Sequence, residues 1–174
     1  VEIVFVEGTT FRQWLAQMKA HPHVRSTLAG KSEAEVREAL GAGGGALEGR
    51  FFPDTYRFVA GTTDVEILKR ALAEMDRRLA KAWEGRDPAL PLATAYEALI
   101  LASIIEKETG RAGERPAIAS VFVNRLRKGM RLQTDPTVIY GLGEGFDGNL
   151  RKRDLQADTP WNTYTRAGLP PTPI

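Results

Sequence analysis

Cysteine is absent from the 174-residue chain. That removes thiol nucleophiles, disulfides and cysteine-bound metal from the possible chemistries. It also suits a cell-envelope compartment. Histidine is scarce: only His21 and His23 occur, one on each side of Pro22. A two-residue spacing across a proline is poor for joint ligation, and no third histidine completes a set, so no metal site is expected. No apolar run approaches the roughly 20 residues of a membrane span, and no signal-peptide pattern is present. The chain opens on strand-like Val1–Val6 and closes on Pro170-Pro171-Thr172-Pro173-Ile174, so targeting segments are expected outside it. Neither sign of charge dominates, with 24 Lys and Arg against 22 Asp and Glu. Nucleic acid is therefore not demanded as a partner, although an anionic polymer is tolerated.

What is present is ordinary for a soluble globular protein: 43% hydrophobic and 26% charged residues. The length suits one domain with a small appendage. The most continuously apolar stretch is Leu99–Thr109, which ends in Glu106-Lys107-Glu108-Thr109. Extended back to Ala95 it reads as a buried helix. At about 100° per residue, Glu106 shares a face with Ala95, Leu99, Ala102 and Ser103. Glu108 falls nearly opposite, with Glu97, Leu101 and Ile104. An acid at the end of a mostly small and apolar stripe is expected to be desolvated, which raises a carboxyl pKa, as a general acid near neutral pH requires. Against this, glutamates at helix C-termini are commonly solvated surface, and the helix dipole does not favour them.

The remaining elements follow from caps and periodicity. Val1–Val6 reads as a strand and Phe11–Ala20 as a helix after a turn ending at Thr10, with Phe11, Leu15 and Met18 at helical spacing. Ser32 and Glu35 form a capping box for a helix to Leu40. Leu47–Thr63 carries strand-like aromatic runs broken by Pro53. Thr63–Arg86 is a longer amphipathic helix. Glu114–Lys128 is another, with Pro116 in its first turn and Ile118, Val121, Phe122 and Leu126 toward the core. Arg125, Arg127, Lys128 and Arg131 make a basic cluster without interleaved aromatics, a poor nucleic-acid surface. Beyond Gly129 periodicity fades, with one helical turn expected after Pro136. The run Gly141-x-Gly143-x-Gly145 lacks the strand-to-helix setting of a phosphate loop. The fold class predicted is α+β: a small α/β subdomain over residues 1–62, then a mainly helical catalytic domain over 63–174 with long irregular loops.

Those loops offer Gln133, Thr134, Asp135, Tyr140, Asn162 and Tyr164. Amide and carboxylate groups pair with sugar hydroxyls, and tyrosine rings pack on sugar faces. These six residues are the candidate substrate contacts, with Glu106 the candidate catalytic acid. Ordinary glycosidases use two carboxylates. A single acid suffices where a substrate hydroxyl is the nucleophile.

Ala102-Ser103-Ile104-Ile105-Glu106-Lys107-Glu108-Thr109, Val121-Phe122-Val123-Asn124-Arg125-Leu126, the run Met130–Gly141 and Asn162-Thr163-Tyr164 together resemble the YceG-like family of endolytic murein transglycosylases. Glu48-Gly49 and Phe52-Pro53-Asp54-Thr55-Tyr56 fit the same family. In layout the opening segment resembles its LysM-like subdomain. The resemblance implies cleavage within nascent peptidoglycan strands between N-acetylmuramic acid and N-acetylglucosamine, leaving 1,6-anhydro ends and terminating elongation. It places the catalytic glutamate on Glu106 and implies no cofactor. It further implies glycan strands as substrate, peptidoglycan synthases (penicillin-binding proteins) as partners, and a single-pass anchor in the bacterial cytoplasmic membrane with the catalytic part outside. The anchor and the family's C-terminal segment are expected beyond this sequence. Two alternatives stand beside this reading: a non-catalytic peptidoglycan-binding scaffold for synthases, and a muramidase using Asp135 as second carboxylate.

Overall fold

The computed structural model describes residues 1–174. It divides into two compact units, Val1–Lys81 and Ala82–Ile174.

In the first unit, β1 (Glu2–Val4) pairs antiparallel with β2 (Thr55–Arg57), Ile3 standing opposite Tyr56. Both central residues are buried and their neighbours exposed, the period-2 pattern of a sheet with one covered face. Between the strands lie α1 (Phe11–Ala20) and α2 (Glu33–Leu40). Thr10 with Gln13, and Ser32 with Glu35, close reciprocal capping boxes at their starts. Gly41 ends α2 in the left-handed region at φ 64°, which glycine adopts without steric cost. Phe11, Leu15 and Met18, at the helical spacing expected, all pack on the core, with Trp14 beside them. Trp14 and Met18 are buried, whereas Phe11 and Leu15 are half-buried, because Trp14 stacks on Phe5 with ring centroids 3.9 Å apart.

Next comes α3 (Asp64–Glu84). Its Ile67, Leu68, Ala71 and Leu72 pack in one core with Ile3, Phe5, Trp14 and Tyr56. The first unit therefore reaches Lys81, well past the boundary expected at residue 62: the helix read as opening the second unit supplies one wall of the first. Asp64 fastens its start. This carboxylate is buried and accepts from the Thr27 N–H (2.8 Å), the Thr27 hydroxyl (2.5 Å) and the Leu28 N–H (3.0 Å).

The second unit is built on α4 (Ala95–Glu108), capped by Thr94, whose hydroxyl accepts from the Glu97 N–H. Leu99, Ile100, Leu101 and Ile104 are all buried, as a helix apolar on most sides requires. A 3₁₀ turn (Ala112–Glu114) leads into α5 (Arg115–Arg127). Phe122 of α5 is buried, while Ile118 and Leu126, four residues before and after it, are half-buried against the same core. Val121 is 49% exposed and not a core residue as expected; one step before Phe122 turns it off that stripe. After a turn comes α6 (Asp135–Leu142), two turns where one was expected, then a 3₁₀ turn (Gly143–Gly145) and the short, unanticipated α7 (Lys152–Gln156). Gly141 sits inside α6 because a Cβ there would lie 2.9 Å from the Thr159 hydroxyl. The whole is a mixed fold of helices with one two-stranded sheet, the α+β class predicted. No helix is long and apolar enough to cross a membrane.

Candidate active site

Glu106 lies in the last turn of α4. Its side chain is 30% exposed, and Ala102, one turn earlier on the same face, is exposed. The stripe expected to bury Glu106 is mixed: Leu99 is buried and Ser103 half-buried, whereas Ala102 is exposed. The Arg115 guanidinium holds the carboxylate, its Nη2 lying 3.2 Å from Oε1 and 3.0 Å from Oε2. Arg115 starts α5, so the turn at 109–114 brings the two helix ends together. Thr109 organises that turn. Its hydroxyl donates to Glu114 (2.7 Å) and accepts from the Arg111 N–H (3.0 Å). The Arg115 Nε is buried without a partner.

Glu108 points the other way along the helix circumference, as their opposed faces require. Its Oε1 accepts a hydrogen bond from the Thr134 hydroxyl. Thr134 is buried and held at its other polar groups too. Its N–H donates to the Thr163 hydroxyl (3.1 Å), and its carbonyl accepts from the Thr137 hydroxyl (2.7 Å). The Thr137 and Thr163 hydroxyls are 2.9 Å apart. The Gln133 N–H donates to the Thr163 carbonyl at 3.1 Å. Three buried threonines thus tie residues 133–137 to residues 162–164.

Around this knot the six expected substrate contacts separate into two groups. Gln133 and Asp135 are exposed, and Tyr140 and Tyr164 half-exposed. Gln133 alone among non-glycine residues has positive φ, 51°, a strained setting that clusters at functional sites. The Tyr164 hydroxyl donates to Asp135 at 2.5 Å. Burial first, then the Asp135 hydrogen bond and the charges of Asp135 and Glu108, push the Tyr164 phenol up to about 12, against Arg125. The Tyr140 ring meets the Trp161 ring edge-on at 5.6 Å.

Thr134 and Asn162, by contrast, face inward. Asn162 is fully buried. Its amide group donates to the carbonyls of Ala157 (2.6 Å) and Leu155 (3.1 Å), and its Oδ1 accepts from the Tyr164 N–H (2.8 Å). A side chain so saturated has nothing left for a sugar; it positions Tyr164. Three of the four residues of the basic cluster are likewise engaged with backbone. Arg125, Arg127 and Arg131 donate to the carbonyls of Leu132, Ala89 and Tyr164.

Over residues 1–174 the sequence matches the YceG-like family. The chain belongs to that family. It is 41% identical over 128 residues to an endolytic murein transglycosylase of Bacillus subtilis strain 168, covering 74% of this chain and 35% of that protein. It is 35% identical over 133 residues to a protein of the same name from Streptococcus pneumoniae D39, covering 74% of this chain and 24% of that protein. A crystal structure of a YceG-like protein from Listeria monocytogenes superposes with a TM-score of 0.74 at 31% identity, covering 99% of this chain and 62% of that one. The matched regions thus span about a quarter to a third of the two curated relatives. In this YceG-like chain the family-like run Met130–Gly141 forms the Gln133–Asp135 approach to α6 and nearly all of α6 itself. Sequence reasoning missed Arg115 and Thr163. Arg115 lies nine residues beyond Glu106 across an irregular turn, and Thr163 looks like any loop threonine.

Proposed function

We propose that this chain carries the catalytic machinery of an endolytic peptidoglycan lytic transglycosylase, with Glu106 as its single acid and base. One observation carries the reading: a half-buried carboxylate stands at the end of the helix that carries Leu99, Ile100, Leu101 and Ile104 into the core, and one guanidinium holds it. Family membership supplies the substrate class.

In this mechanism Glu106, carrying a proton, gives it to the glycosidic oxygen between N-acetylmuramic acid and N-acetylglucosamine as the C1–O bond breaks. The muramoyl 6-hydroxyl oxygen closes on C1, and its proton passes to the Glu106 carboxylate. The products are a free 4-hydroxyl and a 1,6-anhydro ring. No water is consumed and no second carboxylate takes part. Gln133, Asp135, Tyr140 and Tyr164 present amide, carboxylate and ring surfaces to the sugars. Thr134 and Asn162 hold them in place from behind. Cleavage within nascent strands terminates elongation.

The first unit, Val1–Lys81, contains the LysM-like subdomain expected over residues 1–62. The order strand, helix, helix, strand with antiparallel outer strands supports this assignment. The second unit, Ala82–Ile174, supplies the catalytic domain. In the whole protein a single-pass anchor holds the catalytic part outside the cytoplasmic membrane, where nascent strands and their synthases are partners. The test is mass spectrometry of glycan digested by the wild type and by Glu106→Gln. Anhydro ends from the wild type, and a turnover roughly 10²–10⁴-fold lower in the variant with glycan binding retained, are expected. Reducing ends carrying oxygen from labelled water would overturn the reading in favour of a muramidase. Glycan binding without turnover by the wild type would leave a scaffold.

A further inference from the structure

We propose that Glu108 is a positioning residue for the reaction: its carboxylate braces the loop knot against the catalytic helix and so sets the register between Glu106 and the bound sugar. The inference rests on the transglycosylase reading above.

Glu106 and Glu108 belong to one rigid helical turn but have separate partners, Arg115 and Thr134. Thr134 is buried and committed at its N–H, carbonyl and hydroxyl. It therefore cannot shift without moving Thr163 and Thr137. Its neighbours Gln133 and Asp135 are the exposed groups, and Tyr164 follows Thr163 directly. The Tyr164 hydroxyl returns to Asp135, closing a loop of contacts around the Thr134–Thr163 pair. The internal order of this assembly does not need Glu108. What Glu108 adds is a polar link from the assembly to the turn that bears the acid. A charged acceptor on a buried hydroxyl is the stronger kind of hydrogen bond. Small displacements between an acid and its substrate cost rate steeply.

The role separates from proton transfer by rescue. Glutamine keeps an oxygen able to accept from Thr134 but cannot exchange a proton. Glu108→Ala is expected to lower kcat roughly 10–100-fold, the scale of a hydrogen bond to a charged group. Glu108→Gln, with a neutral acceptor, is expected to lose only about fivefold. The loss falls on kcat rather than KM, because Gln133, Asp135 and Tyr164 remain tied to one another. Thr134→Val removes the same bond, so Glu108→Ala with Thr134→Val together cost no more than the worse single variant.

The experiment is steady-state cleavage of uncross-linked glycan strands by these variants, with anhydro products counted by mass spectrometry and unfolding midpoints measured alongside. Glu108 is exposed at a helix end, so its variants are expected to stay folded. Wild-type activity in Glu108→Ala would overturn the proposal, as would additive losses or a loss confined to KM. If Glu108→Gln is as inactive as Glu106→Gln, Glu108 transfers protons and the brace is wrong. Failure of the underlying reading shows differently, as full activity in Glu106→Gln or as hydrolysed ends from the wild type.

Discussion

Arg115 reaches both carboxylate oxygens of Glu106 through one nitrogen, at 3.0 and 3.2 Å. The pair joins the end of α4 to the start of α5 across a turn. Both side chains are partly exposed, at 43% and 30%. An ion pair this wet contributes less than about 1 kcal/mol to stability. On the proposed mechanism its consequence is for the orientation of Glu106.

Arg115→Ala is therefore expected to leave the unfolding midpoint nearly unchanged while lowering turnover roughly 10–100-fold, the scale of a misplaced catalytic group. Arg115→Lys should recover part of the rate, since a lysine reaches one oxygen without the planar fork. Parallel denaturation and turnover measurements test this. A large stability loss with unchanged kcat would mean the pair is structural.

Gln133 offers a separation of the opposite kind. Its φ of 51° strains any residue with a Cβ. Gln133→Gly relieves that strain but loosens the unfolded chain, so stability is expected to change by less than about 1 kcal/mol in either direction. Gln133→Ala keeps the strain and loses the amide. Both should weaken glycan binding alike. If only the glycine variant binds weakly, the backbone rather than the amide carries the effect.

Asn162 is expected to behave as a structural anchor. Removing it leaves the Ala157 and Leu155 carbonyls and the Tyr164 N–H without the partner they now share. Ala157 is exposed and Leu155 and Tyr164 are half-buried, so each orphaned group costs at most the roughly 1–3 kcal/mol of a buried one. Asn162→Ala should destabilise the second unit by roughly 2–4 kcal/mol. Asn162→Asp should be worse, because it turns a carboxylate oxygen toward carbonyls. Urea denaturation measures both. Unchanged stability with lost glycan affinity would return Asn162 to the substrate-contacting group.

Local chemistry made much of this fold legible. The capping box of Ser32 and Glu35 lies within four residues, and the helix it starts ends at Leu40 as read. Thr10 and the apolar run of α4 were equally plain. The unit boundary was not, because Ile67, Leu68 and Ala71 choose their core by long-range packing with Ile3 and Phe5, and periodicity reveals only that a face is apolar. Five-residue α7 has no periodicity to read. At the site, helical geometry separated Glu106 from Glu108, but it could not show that Asn162 turns inward or that Arg115 arrives from the next helix. Side-chain direction in loops is settled by tertiary hydrogen bonds such as Asn162 to Ala157.

Alkaline pH is expected to destabilise both units through the phenols of Tyr56 and Tyr164. Two of the four tyrosines are pushed up to about 12. Tyr56, in the first unit, is raised chiefly by burial and next by the charges of Asp54 and Glu74; its hydroxyl donates to the Phe52 carbonyl at 2.6 Å. Tyr164, in the second unit, is raised by burial and then by Asp135. An unfolded tyrosine ionises near about 10. Between about 10 and 12 the folded chain keeps these protons while the unfolded chain has lost them, so unfolding releases protons and stability falls as pH rises. Below about 10 both states are protonated and the contribution is fully present. Tyrosinate absorbance of the folded protein should therefore show Tyr56 and Tyr164, identified by their Phe variants, ionising near 12, and denaturation midpoints should fall through that window. Tyr56→Phe should flatten the fall for the first unit, and Tyr164→Phe for the second. If Tyr56 and Tyr164 ionise near about 10 in the folded protein, the burial of Tyr56 and the Tyr164–Asp135 bond do not act as described.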